Sequence, residues 1–296
     1  AASDVYKRQI RSNSIYSLLV DDRGAVWVGH FQAGLDYSLY QNGLFRTYAY
    51  PPLFNSANLS IRSFVNRGQE KVIGSRDGLF YINEATGVVK SFVKPVLTSD
   101  LILTISFYQG EYYIGTYGGG MMVLNPGTLS LKYFAQGDTE LFQKGHIFCV
   151  KPDAKGNLWI GTSQGLFCYN GQTKQIKHFT SANSQLPEGN VYEVSFDSTG
   201  KGWIATETGM CIYDPASQSL RSNVFPEGFV HRDKVRTIYE DAGHNLYFIR
   251  EKGSLFTSTL TMDRFQNRSI FSTLPDNSLM SVIEDNQGWL LSLIHI

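Results

Sequence analysis

The chain is short of one-sided charge, of proline, of cysteine and of long apolar runs, and each shortage excludes something. Its 26 basic and 26 acidic side chains cancel, which removes any long-range pull toward nucleic acid or an anionic membrane surface. No stretch approaches the roughly 18 consecutive apolar residues that a membrane-spanning helix needs. The three cysteines, Cys149, Cys168 and Cys211, are odd in number, include no Cys-x-x-Cys pair and sit inside apolar runs. Small buried hydrophobes are therefore expected, not a disulfide framework or a metal site, and His146 and His178 show no ligand spacing beside them. No segment keeps a helical apolar period over about 11 residues. Signatures of the nucleophile elbow, zinc-helix, P-loop and calcium-loop kinds are missing too. No catalytic residue, cofactor or metal is assigned.

What the sequence does have is glycine, 28 residues of it, with 19 Phe and 17 Tyr against nine Pro. That balance points to short strands joined by tight turns. The chain of 296 residues suggests two domains at about 150 residues each, but all-β units often run longer as one.

A repeat decides between these. The glycines that close successive polar turns, Gly24, Gly68, Gly110, Gly156, Gly200, Gly243 and Gly288, lie 42 to 46 residues apart, 44 on average. A strand-like run precedes each, as in "GHIFCVKPDAKG" and "GNVYEVSFDSTG". Apolar residues alternate imperfectly within these runs, as at Val191, Val194 and Phe196. Three or four residues beyond the glycine comes a large residue of the next strand: Trp27, Val72, Tyr113, Trp159, Trp203 and Tyr247. A small Gly-Thr follows, then a polar gap, then a second glycine, Gly34, Gly78, Gly119, Gly165, Gly209 or Gly253, that opens a third strand. A fourth run closes most copies.

Four antiparallel strands per unit is the blade pattern of an all-β propeller. A lone blade cannot cover both its faces, so blades must pack around a common axis. The aromatic residues at 27, 113, 159, 203 and 247 are expected to fill the interblade layers. Six whole units and one first strand predict a seven-bladed ring with its last blade incomplete; six blades is the alternative. The extra residues of "FAQGDTELFQKG" and "TMDRFQNRSIFSTLPDN" are expected to be loops. The acidic pairs Asp21–Asp22, Glu240–Asp241 and Glu284–Asp285 recur at one turn and are expected to be solvated turn residues, not a catalytic dyad.

The two ends read differently. "AASDVYKRQ" can be encoded by GCA GCG TCA GAT GTG TAT AAG AGA CAG, which resembles a transposase adapter used in sequencing libraries. "LSLIHI" can be encoded by the reverse complement of the codons for "DVYKRQ". Residues 1–9 and 291–296 are therefore expected to be adapter-encoded, and 10–290 to be a propeller fragment of about six and a half blades.

At "GNLWIGTSQGLFCYN" and "GKGWIATETGMCIYD" the sequence resembles the two-component regulator propeller repeat, which reads roughly as an apolar strand, an acidic turn, Gly-x-Leu-Trp-Ile-Gly-Thr, two variable residues, Gly-Leu and an aromatic-Asp end. The resemblance spans residues 10–290 and is weakest in copies two and six. It implies the periplasmic sensor region of a Bacteroidetes hybrid histidine kinase, an oligosaccharide ligand, a homodimer formed through the parent chain, and a membrane reached only through downstream segments. Two other classes compete: a protein-interaction platform, and an enzyme of the streptogramin-lyase type, which would need a convergent His and Glu such as His231 and Glu227.

Within the propeller the variable residues between Gly-Thr and Gly-Leu are the candidate ligand contacts: His30, Gln32, Arg76, Tyr117, Gln164, Glu207 and Arg250. Polar groups converging there could bond sugar hydroxyls while an aromatic ring stacks on a pyranose face.

Overall fold

The computed structural model describes residues 12, 14–39, 44–48, 59–134, 139–222, 234–250, 255–260, 266–267, 278–285, 288 and 290–295. Each 44-residue unit forms an antiparallel meander whose strands pair in chain order. Among the described residues there are six such four-stranded sheets, spanning residues 15–47, 61–92, 102–133, 147–179, 191–221 and 235–267. A further sheet has two strands, Ser278–Glu284 and Leu290–His295. The first strand of each sheet touches the first strand of the next, and Ser278–Glu284 lies between the first strands of blades six and one. First strands thus form the inner ring, with later strands stepping outward.

The structure has six blades, the alternative expected from the repeat. The seven-bladed reading is not confirmed, because the remaining sheet has two strands. Its second strand runs through residues 291–295, which the codon pattern attributes to adapter sequence.

The second strands of the six blades are sandwiched by neighbours on both faces and are largely buried, wholly so in Val26–His30 and Gly202–Thr206. The apolar core is accordingly a set of layers between blades. Trp27 packs on Tyr37 of its own blade and on Phe64 of blade two, each with ring centroids 5.0 Å apart. Trp159 meets Tyr213 of blade five at 4.5 Å, and Trp203 meets Phe248 of blade six at 5.5 Å. Tyr113 joins Val150 and Leu158 of blade four in one cluster, and Tyr247 joins Val282 of the two-stranded sheet.

The small residue after the aromatic is fixed by the same layering. A Cβ placed on Gly74 would fall 2.5 Å from Cγ2 of Ile102, and one on Gly115 would fall 2.7 Å from that of Ile147. Each glycine therefore receives the aliphatic residue that begins the next blade's first strand.

Two expectations are corrected. The acidic turn residues are not uniformly solvated: Asp22 is exposed and Glu240, Asp241 and Glu284 are half-buried, but Asp21 and Asp285, like Asp197 at the same turn of blade five, are buried. Asp197 Oδ2 accepts the Trp203 indole N–H at 2.8 Å, while its Oδ1 accepts the main-chain N–H groups of Thr199 at 2.9 Å and Lys201 at 3.0 Å. Asp21 does the same for Trp27, and Asp153 for Trp159. In blade six the Tyr247 hydroxyl replaces the indole on Asp241 at 2.9 Å. An acceptor six residues before the aromatic both closes the turn and orients the ring. Second, "FAQGDTELFQKG" is not all loop: Thr139–Lys144 is a short α-helix. Its Leu141 and Phe142 are buried against Phe134 and Phe167, which supplies the burial that a six-residue helix needs. Of "TMDRFQNRSIFSTLPDN", Gln266–Asn267 forms the fourth strand of blade six, and the rest lies outside the described residues.

The thiols behave as expected. Cys149 and Cys211 are buried and Cys168 partly so, all unpaired, and burial pushes the Cys168 thiol up to about 12.

Replacing Asp197 by Ala would leave a buried indole N–H without its acceptor. The variant is expected to unfold with a stability about 2–3 kcal/mol lower, read from urea denaturation, with the larger loss of about 3–5 kcal/mol for Trp203→Ala. Burial pushes the Asp241 carboxyl up, but hydrogen bonds from Asn245 and the Tyr247 hydroxyl outweigh it and hold the group below its ordinary value of 3.8. A lowered folded-state value means that its stabilisation is complete above the ordinary value and is lost as pH falls through the lowered one. Asp241→Asn should therefore lose less stability than the parent between about pH 4 and pH 2, measured as Tm against pH.

Candidate functional site

The turns between second and third strands are held by a repeated main-chain bond. The N–H of Phe31, Arg76, Tyr117, Ser163 and Glu207 donates to the carbonyl of Ser14, Ser60, Leu101, His146 and Asn190, at 2.8 to 3.2 Å. Each acceptor stands just before the first strand of the same blade, so turns and lead-in segments share one face around the inner ring.

The Gly-Thr threonine secures each turn from beneath. Thr116, Thr162 and Thr206 donate their hydroxyls to the carbonyls of Gly120, Gly165 and Gly209 at 2.8 to 3.0 Å, and Ser75 does so to Gly78. In blade three the accepting glycine is Gly120, one residue past the Gly119 expected from the repeat. It lies at φ +71°, where a Cβ would also strike the Phe142 carbonyl.

His30 occupies this threonine slot in blade one. It is fully buried, with Nδ1 3.0 Å from the Ser12 carbonyl and Nε2 3.0 Å from Asp36 Oδ2. It therefore belongs to the interior, and the structure does not bring it to the open face with the other candidates. Gln32, Arg76, Tyr117, Gln164 and Glu207 are all exposed on that face. Glu207 Oε2 accepts the Asn190 side-chain amide at 3.1 Å. The Gln164 carbonyl lies 2.8 Å from His178 Nε2. The side chain of Arg250 lies outside the described residues, as do His231 and Glu227 entirely.

A set of residues that the sequence reading missed lies on the inner strands. In six first strands the pairing slips by one residue just after the first position, and in Ser278–Glu284 it slips after the second. In the six blades the extra residue is Tyr16, Arg62, Leu103, Phe148, Tyr192 or Arg236 in turn. A bulge re-aims the inserted side chain away from the sheet's regular alternation, here at the end of the inner strand nearest the turn face. Where neighbouring rings meet, they meet around the ring: Phe148 and Tyr192 at 5.0 Å, and the Arg62 guanidinium over the Tyr16 ring at 4.6 Å. The arc continues from Phe148 to His146 at 6.1 Å and on to Tyr117 at 4.1 Å, while Lys234 Nζ sits 4.5 Å from the Tyr192 ring centroid. Tyr117 keeps 51% of its surface open.

A cleft of about 470 Å³ opens between blades four and five, lined by Trp159, Tyr213, Lys177, Asn157, Asn170 and Gln218 among others. Asn157 and Asn170 stand at the strand ends remote from the Thr162–Gly165 turn, so this cleft is on the opposite side from the turn face. None of the seven candidates lines it. Among the described residues, no group of three or more His, Cys, Asp or Glu side chains could hold a metal ion.

Six four-stranded meanders packed around a ring of first strands define a β-propeller whose turn face presents polar and aromatic side chains. Residues 9–32 and 142–164 match the two component regulator propeller family. Among solved structures it is similar to the extracellular domain of the putative hybrid two component system BT3049 from B. thetaiotaomicron, with 21% identity and a TM-score of 0.63 over 96% of this chain and 44% of that one. The chain thus spans less than half the length of that domain. It is also similar to YCF48 bound to D1 peptide, at 12% identity and a TM-score of 0.68 over 97% and 94% of the two chains. At these identities the likeness is one of fold. No curated protein sequence matches the chain. Among the described residues no helix is long and apolar enough to cross a membrane.

Proposed function

We propose that this propeller is a ligand-sensing part of the periplasmic region of a hybrid two-component histidine kinase, that its ligand is an oligosaccharide, and that it is itself non-catalytic. The observation that carries the reading is the turn face. Tyr117 is half open and continues into a run of rings through His146, Phe148 and Tyr192, flanked by the exposed amides and charges of Gln32, Arg76, Gln164 and Glu207. An aromatic platform beside polar side chains suits the alternating apolar faces and hydroxyl edges of sugar rings. The match to the regulator propeller repeat supports the sensor role. Signalling through a homodimer of the parent chain would require the ligand to bind one packing of the dimer more tightly than another.

Glycan-array screening followed by calorimetry is the test. The expected outcome is micromolar to millimolar binding of at least one oligosaccharide, weakened roughly tenfold, or about 1.4 kcal/mol, in Tyr117→Ala. Tyr117 is exposed, so the variant should keep the parent Tm. Binding that survives Tyr117→Ala unchanged would move the site off this face, and no glycan binding together with tight binding of a protein would favour the interaction platform.

A further inference from the structure

The re-aimed residues of the inner strands of the six blades carry information beyond their aromatic content. Two of them, Arg62 and Arg236, are cations, and none is a carboxylate. Lys234 adds a third positive charge over the Tyr192 ring. The carboxylates described on this face, Asp77, Asp100, Glu188 and Glu207, belong to the turns and lead-in segments, and Glu207 is engaged by both N–H groups of Asn190. The re-aimed inner positions themselves therefore carry arginine and no carboxylate, although the whole chain is neutral.

Two nitrogens on the rim have no partner among the described residues. Arg62 Nε, a donor, and His146 Nδ1, a donor or acceptor according to tautomer, are buried and make no hydrogen bond. A buried donor left without an acceptor costs about 1–3 kcal/mol, and native proteins rarely leave one without a reason. Arg62 is already fixed by its guanidinium lying over Tyr16, and His146 by its contacts with Tyr117 and Phe148. Both are thus held in place before any ligand arrives, on the same face as the ring platform. Hydroxyl groups could answer such donors singly. A rim that concentrates cations and keeps carboxylates off the inner positions selects for negative charge, and arginine in particular suits carboxylate and sulfate oxygens.

Taking the glycan-binding reading above as its basis, we propose that the inner rim takes an anionic sugar, one bearing a uronate or sulfate group, with Arg62 as a direct contact of that group and the rings at 117, 148 and 192 against the sugar faces.

The test uses the full chain and calorimetry with three probe sets: uronate-containing oligosaccharides, the same compounds carboxyl-reduced to neutral hexoses, and sulfated disaccharides with their desulfated partners. The expected result is binding of a charged member at least about tenfold tighter than of its neutral partner, weaker at high salt, with the loss reproduced by Arg62→Gln. Whichever pair shows the difference identifies the anionic group. Should Arg62→Gln fold poorly, the salt dependence of the parent chain decides alone. Equal affinity for charged and neutral partners, or binding indifferent to salt, would overturn this proposal and leave the glycan reading standing. Absence of binding to every charged and neutral probe would overturn both.

Discussion

The whole assembly depends on a carboxylate that is taken out of water to hold an aromatic ring. In blades one, four and five an aspartate six residues upstream accepts the indole N–H of the second-strand tryptophan and ties down the turn between them. Its hydrogen bonds offset the cost of burying the charge. The ring so fixed is the large side chain against which the next blade packs. Asn66 of blade two adds a second donor to Asp21 of blade one at 2.8 Å, across the seam that Trp27 fills. Where the pair is missing, another polar clamp spans the seam. Glu70 gathers the hydroxyls of Tyr81 and of Tyr112 in blade three, at 2.7 and 3.0 Å. The Tyr108 hydroxyl of blade three donates to the Gly156 carbonyl and accepts from the Gly171 N–H of blade four. The two copies that read weakest against the repeat before blade four have exchanged one clamp chemistry for another.

This division explains which parts were legible in the sequence. The period, the strand count per unit and the burial of Trp27, Tyr113, Trp159, Trp203 and Tyr247 follow from spacing, because layered packing imposes the same demand on every copy. The buried aspartates were misjudged because an acidic residue in a polar turn looks solvated; the regular six-residue step to the next Trp or Tyr was the signal. His30 was misplaced because the histidine sits where other copies have Thr, and only its contact with Asp36 shows that it points inward.

The inner-strand bulges were present in the sequence as an imperfection. Ile15, Leu18 and Val20, or Val191, Val194 and Phe196, are spaced three and then two residues apart, where a regular strand would give two and two. The extra residue is the bulge. Read as noise, that spacing hides the ring; read as a repeated offset in every copy, it locates it. The helix Thr139–Lys144 left no comparable trace, since six residues are too few to display a period and its stability comes from Leu141 and Phe142 meeting the third and fourth blades.

The bulge also separates two kinds of constraint within three residues. The first residue of the inner strand is Ile or Val in all six four-stranded blades, because in blades two to four it must fill the hollow left by the glycine of the preceding blade. The residue inserted after it varies from Tyr to Arg to Leu to Phe, because it leaves the interblade layer and owes nothing to the packing beneath. A position released from the core and repeated around one axis can change its chemistry without disturbing the fold. Side-chain chemistry can therefore change along the inner rim while the clamps and aromatic layers hold the blades constant. The arginine and aromatic side chains at these positions are a property of that rim and not of the propeller as a whole.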